Sequence, residues 1–282
     1  MKRFTVALIN FLVYSNLFIA ACAILMVHQT SVLLLHQKPA ITYIGFVFFS
    51  TICSYSFHWY LTSHSEISSS RIAWTKRFRN IHIFFFIAGL SGSIFFLFYL
   101  LKWWPWLMLA AIVTFLYSAP KISFKFFRSL RKVALGKTIF LALVWTYVTT
   151  ILPVIIGNGG WNTGFILFAA GRFFFVYAIC ILFDYRDRQD DQAAGIRSLI
   201  TFLSEGSITA LFILSLLAFM ICSLLMLNYD YSISSVIILL IPGIITAAFY
   251  DYARKNFSDL FYYLALDGLM ALSALMMLVA RI

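Results

Sequence analysis

Charged residues are scarce in this chain, and acidic residues are the scarcest of all. Only 11% of its 282 residues are charged, with 10 Asp and Glu against 21 Lys and Arg. A soluble domain carries about 25% charged residues, whereas here 63% of residues are hydrophobic and the mean hydropathy is +0.94. The composition excludes an ordinary soluble domain and predicts an all-α integral membrane protein, with one polytopic domain over residues 1–282.

Cysteine is also sparse, with four in the chain. Cys22, Cys53, Cys180 and Cys222 all fall inside apolar runs, and their spacing is not that of metal ligands. We interpret them as small packing residues.

Nine apolar runs are long enough to be considered as membrane spans. A spanning helix needs about 20 largely apolar residues, because every backbone amide must be satisfied within its own helix. The fourth run is the shortest and follows the third after a tight turn around Lys102 and Pro105. The nine predicted spans are residues 7–27, 41–62, 81–101, 103–118, 133–156, 161–183, 208–227, 233–250 and 260–280.

Basic residues concentrate on one side of these predicted spans. All but four of the 21 lie on the side of the N-terminus; the exceptions are Lys38, Lys102, Arg172 and Arg281. The positive-inside rule then places the N-terminus in the cytoplasm, and nine spans place the C-terminus outside. The net charge of +11 follows from this asymmetry, so the predicted partner is the lipid bilayer and not a nucleic acid.

Four of the ten acidic residues occur together, directly after the sixth predicted span. They are Asp184, Asp187, Asp190 and Asp191. If the helix continues through them, steps of about 100° per residue place all but Asp190 within an arc of about 60°. Carboxylates suit Mg²⁺, which is often shared with substrate phosphates. The stripe predicts a magnesium diphosphate site; the alternative is a solvated loop whose acids pair with neighbouring arginines.

Three stretches resemble the UbiA superfamily of intramembrane prenyltransferases. The run Asp184-x-x-Asp187-x-x-x-Asp191-x-x-x-Gly195-x-Arg197 is similar to that family's second aspartate-rich motif. Tyr117-Ser118-Ala119-Pro120-Lys121, which closes the fourth span, resembles its Tyr-Ser-x-Pro segment. Arg172-Phe-Phe-Phe, which leads into Phe183-Asp184, resembles the approach to the second motif.

The resemblance implies a bundle of about nine helices around a central cavity. In that cavity Mg²⁺, bound by two aspartate motifs, is expected to hold a prenyl diphosphate. The prenyl group would pass to a membrane-soluble or amphiphilic acceptor. The resemblance assigns magnesium binding and catalysis to Asp184, Asp187 and Asp191. It assigns substrate binding to nearby basic residues, namely Lys121, Lys125, Arg128, Arg71, Lys76, Arg77, Arg79, Arg172 and Arg197.

The chain departs from the family at the first motif, Asn-Asp-x-x-Asp-x-x-x-Asp, which is expected at the end of span two. Residues 57–66 read Phe-His-Trp-Tyr-Leu-Thr-Ser-His-Ser-Glu and contain no aspartate, and a basic loop follows. Imidazole is a poor ligand for so hard an ion. Either the basic loop contacts phosphate directly, or the chain is a catalytically silent scaffold that binds a lipid or quinone. A transporter is a weaker alternative, because the acids cluster at one face and not at the midplane.

Arg172 and Asp267 fall inside predicted spans, where a charge is costly and needs a partner. Their estimated depths along straight helices are similar, so we expect an ion pair between them, in preference to contact with substrate.

Overall fold

The computed structural model describes residues 2–62, 69–118, 137–193 and 199–280, and the regular secondary structure of these ranges is helical throughout. The helices are α1 (Lys2–Tyr14), α2 (Leu17–Leu35), α3 (Ile41–Thr62), α4 (Ser70–Arg77), α5 (Arg79–Tyr99), α6 (Trp104–Ser118), α7 (Lys137–Thr146), α8 (Leu152–Ile156), α9 (Thr163–Ala193), α10 (Leu199–Phe202), α11 (Glu205–Leu225), α12 (Ile233–Ala248), α13 (Tyr250–Lys255) and α14 (Asp267–Ala280). A π-helical turn, Tyr147–Ile151, joins α7 to α8. A second π-helical turn, Phe261–Leu266, leads into α14.

Seven helical stretches in the described ranges are long and apolar enough to cross a bilayer. This confirms the predicted fold class, an all-α multi-pass membrane protein. The stretch Leu101–Phe115 is apolar but shorter, and α3 has the length but contains several Ser, Thr and Tyr residues. The seven are Leu17–Leu35, Arg79–Tyr99, Thr138–Ile156, Thr163–Arg188, Glu205–Tyr229, Ile233–Lys255 and Phe261–Ala280.

The first predicted span, residues 7–27, is divided into two helices. Its division occurs at Asn16, whose backbone has φ 70° and ψ 7° in the left-handed region. A left-handed residue ends a helical path, so the membrane-length helix is α2 and α1 is a separate short helix. Over the residues that the structure describes, the other predicted spans coincide with helical segments, although α9 continues past residue 183 to Ala193. Residues 133–136 of the fifth predicted span lie outside the described residues.

Helix α9 lies at the centre of the packing, between α7 and α11, while α2 packs against α3 and α14. Val176, Ala178 and Leu182 of α9 are fully buried in the main core, together with Tyr262 and Leu266 from the second π-helical turn. This packing brings the last turns of α9 close to that π-helical turn and to α4, which together form the site described next.

Candidate functional site

The acidic residues after the sixth span lie on a helix and not in a solvated loop. Asp184 is 4% exposed and accepts a hydrogen bond from the Thr138 hydroxyl of α7. Asp187, one turn further along α9, forms an ion pair with Arg186, with 2.8 Å between Oδ1 and Nη2. Asp191 lies on the same helix, beyond the described side chains. Asp184 and Asp187 thus lie one turn apart on α9, and Asp187 makes the arginine contact that the alternative predicted.

Arg71 is carried into the protein interior by the short helix α4. Ser69 caps this helix, accepting a hydrogen bond of 3.1 Å from the backbone N–H of Ile72. The backbone N–H of Arg71 donates to Asp259 Oδ2 at 2.8 Å, which fixes the start of α4 against the residues before α14. The Arg71 side chain is 3% exposed as a result.

The guanidinium group of Arg71 is enclosed by one amide and two aromatic rings. Its Nη2 donates to Asn16 Oδ1 at 2.6 Å, in the break between α1 and α2. Its Cζ lies 3.9 Å from the ring centroid of Trp59 and 4.0 Å from that of Tyr263. Such cation–π contacts hold a desolvated guanidinium in place.

Tyr263 connects Arg71 to the end of α9. The Cζ atom of Arg186 lies 4.5 Å from the centroid of the same ring, so two arginines share one aromatic side chain. Tyr263 lies in the π-helical turn Phe261–Leu266. The extra residue in such a turn changes the direction of consecutive side chains. Both Tyr262 and Tyr263 are buried there.

Two guanidinium nitrogens at this place lack hydrogen-bond partners. Arg71 Nε and Arg186 Nη1 are both buried and make no hydrogen bond among the described residues. An unsatisfied buried donor costs about 1–3 kcal/mol, and more when it is charged. Both donors are therefore open to an acceptor that the described residues do not supply.

Asp267 belongs to the same group of charges. Its carboxylate interacts electrostatically with Arg71 and Arg186, and its side chain is partly accessible. Burial lowers the pKa of Arg71, and the contacts with Tyr263, Asp267 and Asp259 act in the opposite direction. We call this group the Tyr263 cluster, consisting of Arg71, Arg186, Asp187, Asp259 and Asp267 around Tyr263.

The predicted ion pair between Arg172 and Asp267 is wrong. Arg172 Nη1 donates to Thr30 Oγ1 at 2.7 Å, to the Thr149 carbonyl at 2.8 Å and to Thr150 Oγ1 at 3.0 Å. The physical reason is the π-helical turn before α14, which changes the angular position of Asp267 from that on a straight helix. Asp267 therefore faces the arginines of the Tyr263 cluster, and Arg172 is held by neutral oxygen atoms.

The other predicted basic residues are not brought into the Tyr263 cluster by their contacts. Arg79 Nη2 donates to the Tyr60 hydroxyl at 2.6 Å, and Arg77 lies over the neighbouring Phe78 ring at 5.4 Å. Lys76 is exposed. The remaining predicted substrate-binding residues lie outside the described residues; they are Lys121, Lys125, Arg128 and Arg197.

Sequence analysis missed three members of the cluster. Arg186 enters the prediction only as a basic partner of the acids, and Asp259 and Tyr263 are not among the predicted site residues. The sequence does contain one signal for this place. Tyr262 and Tyr263 lie between Asp259 and Asp267, which are two of only ten acidic residues in the chain.

In the described part of the chain, no group of three or more His, Cys, Asp or Glu side chains is placed to hold a metal ion. The third predicted ligand, Asp191, has a side chain outside that part. No protein-family model, curated protein or solved structure matches the chain.

Proposed function

We propose that this protein is a UbiA-like intramembrane prenyltransferase, which moves a prenyl group from a prenyl diphosphate to a membrane-soluble or amphiphilic acceptor. The observation that carries the proposal is the pair of unpartnered donors, Arg71 Nε and Arg186 Nη1, beside the carboxylate of Asp187. In this proposal α3 and α6 also cross the bilayer and complete nine spans around a central cavity.

The diphosphate is bound directly by arginine. Guanidinium groups form charge-assisted hydrogen bonds to phosphate oxygens, often two at a time. Arg71 lies on α4, which follows the degenerate first motif in the chain. It therefore supplies a positive charge from that side of the site, in place of a second metal ion.

In this proposal Asp184 and Asp187 of α9 would hold a single Mg²⁺. Asp184 and Asp187 supply carboxylate oxygens one turn apart, and Mg²⁺ commonly uses one or two carboxylates together with substrate phosphates. Bound there, the ion would neutralise charge that develops on the diphosphate leaving group. The Thr138 hydroxyl orients Asp184, and Arg186 orients Asp187.

The protein's own residues contribute electrostatic stabilisation and exclusion of water. Arg71 and Arg186 stabilise negative charge on the leaving group more strongly as the bond to the prenyl carbon lengthens. Phe183, Tyr262 and Trp59 line the cluster with aromatic rings, whose negative faces favour a nearby carbocation.

A second candidate function is a catalytically silent scaffold that binds a lipid or quinone. The loss of aspartate from residues 57–66 favours it, as does the ion pair that already engages Asp187. Product formation from a prenyl diphosphate and a lipid extract would exclude the scaffold.

The experiment for the proposed site is equilibrium binding of a non-hydrolysable prenyl diphosphate analogue to the purified protein, with and without Mg²⁺. We expect binding to require Mg²⁺ and to weaken at least about tenfold in Asp187→Asn and in Arg71→Gln, since each removes a charge-assisted contact. Arg77→Gln is the matched control, because Arg77 lies on the same helix and is exposed. Binding that is indifferent to Mg²⁺ and to Asp184→Ala would overturn the site.

A further inference from the structure

A polar pocket lies where three membrane-length helical stretches end. The stretches are Thr163–Arg188, Glu205–Tyr229 and Ile233–Lys255, and they pack against one another through α9, α11, α12 and α13. The pocket has a volume of about 370 Å³, which is room for a lipid headgroup and far more than one water molecule needs. We call it the Lys255 pocket, and its charged lining consists of Arg186, Arg188, Glu205, Asp251, Arg254 and Lys255.

Two arginines of the Lys255 pocket are held in place by one carboxylate. Arg188 Nη1 donates to Glu205 Oε1 at 3.3 Å, and Arg254 Nη2 donates to Glu205 Oε2 at 3.1 Å. The Cζ atom of Arg254 also lies 5.3 Å from the Tyr185 ring centroid and 5.2 Å from that of Tyr250. A guanidinium group has five N–H donors. Each arginine therefore keeps donors for an acceptor other than Glu205.

Positive charge is in excess among the described residues of the Lys255 pocket. Arg186 is paired with Asp187, which is not part of the lining. Lys255 is exposed and forms no ion pair with the described residues. The charges that remain after the Arg186 pair are three positive and two negative, on Arg188, Arg254, Lys255, Glu205 and Asp251. One further negative charge would balance them.

The position of the pocket along the helices limits what that anion can be. Arg188, Glu205 and Lys255 are the terminal residues of the three apolar stretches, so the pocket lies where the hydrocarbon of a bilayer meets the headgroups. Phe257 also lines the pocket and is 51% exposed, and aromatic side chains are often found at this level. The predicted orientation places it at the cytoplasmic leaflet, which contains anionic lipids.

We propose that the Lys255 pocket binds the phosphate of an anionic phospholipid headgroup. Guanidinium and ammonium groups form charge-assisted hydrogen bonds to phosphate oxygens, and basic pockets between membrane helices recognise such headgroups. The phosphodiester of phosphatidylglycerol supplies the single negative charge that the pocket lacks. The proposal goes beyond prenyl transfer and does not rest on it. Arg186 adjoins both sites and is left unchanged in the experiments.

The test is native mass spectrometry of the full chain, purified in detergent and given equal amounts of phosphatidylglycerol and phosphatidylcholine with the same acyl chains. We expect the protein to retain phosphatidylglycerol at least about fivefold better, and equal retention would overturn the proposal. Glycerol 3-phosphate serves as a soluble competitor. If it displaces phosphatidylglycerol at an equal concentration, the ligand is a soluble phosphate and the lipid assignment is wrong. No prenyl diphosphate is present, so the result is independent of transferase activity.

Two double variants with the same change in charge locate the lipid. Arg188→Gln/Lys255→Gln should weaken the retention of phosphatidylglycerol at least about tenfold, because two basic residues of the pocket are lost. Lys76→Gln/Arg77→Gln is the matched control, since both residues are exposed on α4 and lie outside the lining. Equal weakening by the two double variants would reduce the effect to general surface attraction and exclude the pocket.

Asp251→Asn provides a prediction of the opposite sign. The Asp251 carboxylate is exposed, lines the pocket and repels a phosphate bound there. Its neutralisation should strengthen the retention of phosphatidylglycerol about fivefold, a gain that misfolding does not produce. Unchanged or weaker retention by this variant would contradict the placement of the phosphate among these side chains.

Discussion

Arg71 is stabilised by contacts that a lysine cannot reproduce. Its planar guanidinium group lies between the Trp59 and Tyr263 rings and donates to Asn16. We expect Arg71→Lys to lower the free energy of unfolding by about 2–4 kcal/mol, because stacking and a charge-assisted hydrogen bond are lost while the charge remains. Thermal unfolding of the purified protein in detergent measures the change.

Arg77→Lys is the matched control for this substitution. Arg77 lies in the same helix α4 and is exposed, so its replacement should change stability by less than about 0.5 kcal/mol. Equal destabilisation by the two variants would show that the ring contacts of Arg71 contribute nothing specific.

Asp267 should be coupled energetically to Arg71 and not to Arg172. It interacts electrostatically with Arg71, whereas Arg172 has its own set of neutral partners. In double-mutant cycles we expect Arg71→Gln and Asp267→Asn to show an interaction energy above about 0.5 kcal/mol. The effects of Arg172→Gln and Asp267→Asn should add. Coupling of Asp267 to Arg172 of the same size would restore the ion pair predicted from sequence.

Sequence analysis identified several of the important charges but not their partners. Arg71, Arg172, Asp184 and Asp187 stand out because a charged residue is rare in a chain so apolar. Which partner a buried charge meets depends on how each helix is rotated about its own axis. A helix that is apolar on all sides has no polar face from which this rotation can be predicted. Asp267 illustrates the failure, since a depth estimate alone assigned it to the wrong arginine.

The two π-helical turns are the elements that make both polar sites possible. Each lies beside a buried arginine: Tyr147–Ile151 presents the Thr149 carbonyl to Arg172, and Phe261–Leu266 places Tyr263 under Arg71. A π-helical turn interrupts the regular i to i−4 hydrogen-bond pattern and is frequent at functional sites. Both spans were predicted as helices, and their described residues are helical. Apart from Thr149 and Thr150, the residues within these turns are apolar and aromatic, like those of the surrounding spans.

The break between α1 and α2 is held open by Asn16. This residue has positive φ, which asparagine tolerates better than most residues. Its Oδ1 accepts from Arg71, and its Nδ2 donates to Ser56 Oγ at 3.3 Å. We expect Asn16→Ala to destabilise the protein by about 2–4 kcal/mol, since it combines backbone strain with an unpaired buried guanidinium.

Asn16→Gly separates the two contributions. Glycine adopts positive φ without strain, so this variant should lose the hydrogen bonds alone and be about 1 kcal/mol more stable than Asn16→Ala. Detergent melts of the two variants provide the comparison. Identical stabilities would show that the left-handed conformation carries no cost at this position.

At the scale of the whole molecule, the Tyr263 cluster and the Asn16 amide that binds Arg71 bring together four distant parts of the chain. Asn16, Arg71, Arg186 and Tyr263 come from the first helical break, α4, α9 and the turn before α14. Apolar run lengths predict the helices because the thickness of a bilayer fixes the length of a span. They do not predict which helix ends meet, because lateral packing depends on side-chain shapes around the whole bundle.

The orientation that the charge asymmetry predicts can be tested with two glycines. Gly160 and Gly206 are exposed and lie at opposite ends of membrane-length helices, and a side chain added at either one meets no atom within 4 Å. Because most basic residues share the side of Gly206, the positive-inside rule places that side in the cytoplasm. We expect a membrane-impermeant maleimide to label Gly160→Cys in intact cells and Gly206→Cys only after the membrane is opened.

The unsubstituted chain controls for its four native cysteines, which all lie within helices. Labelling of both variants in intact cells would contradict the proposed topology, and the reverse pattern would place the Tyr263 cluster at the outer face.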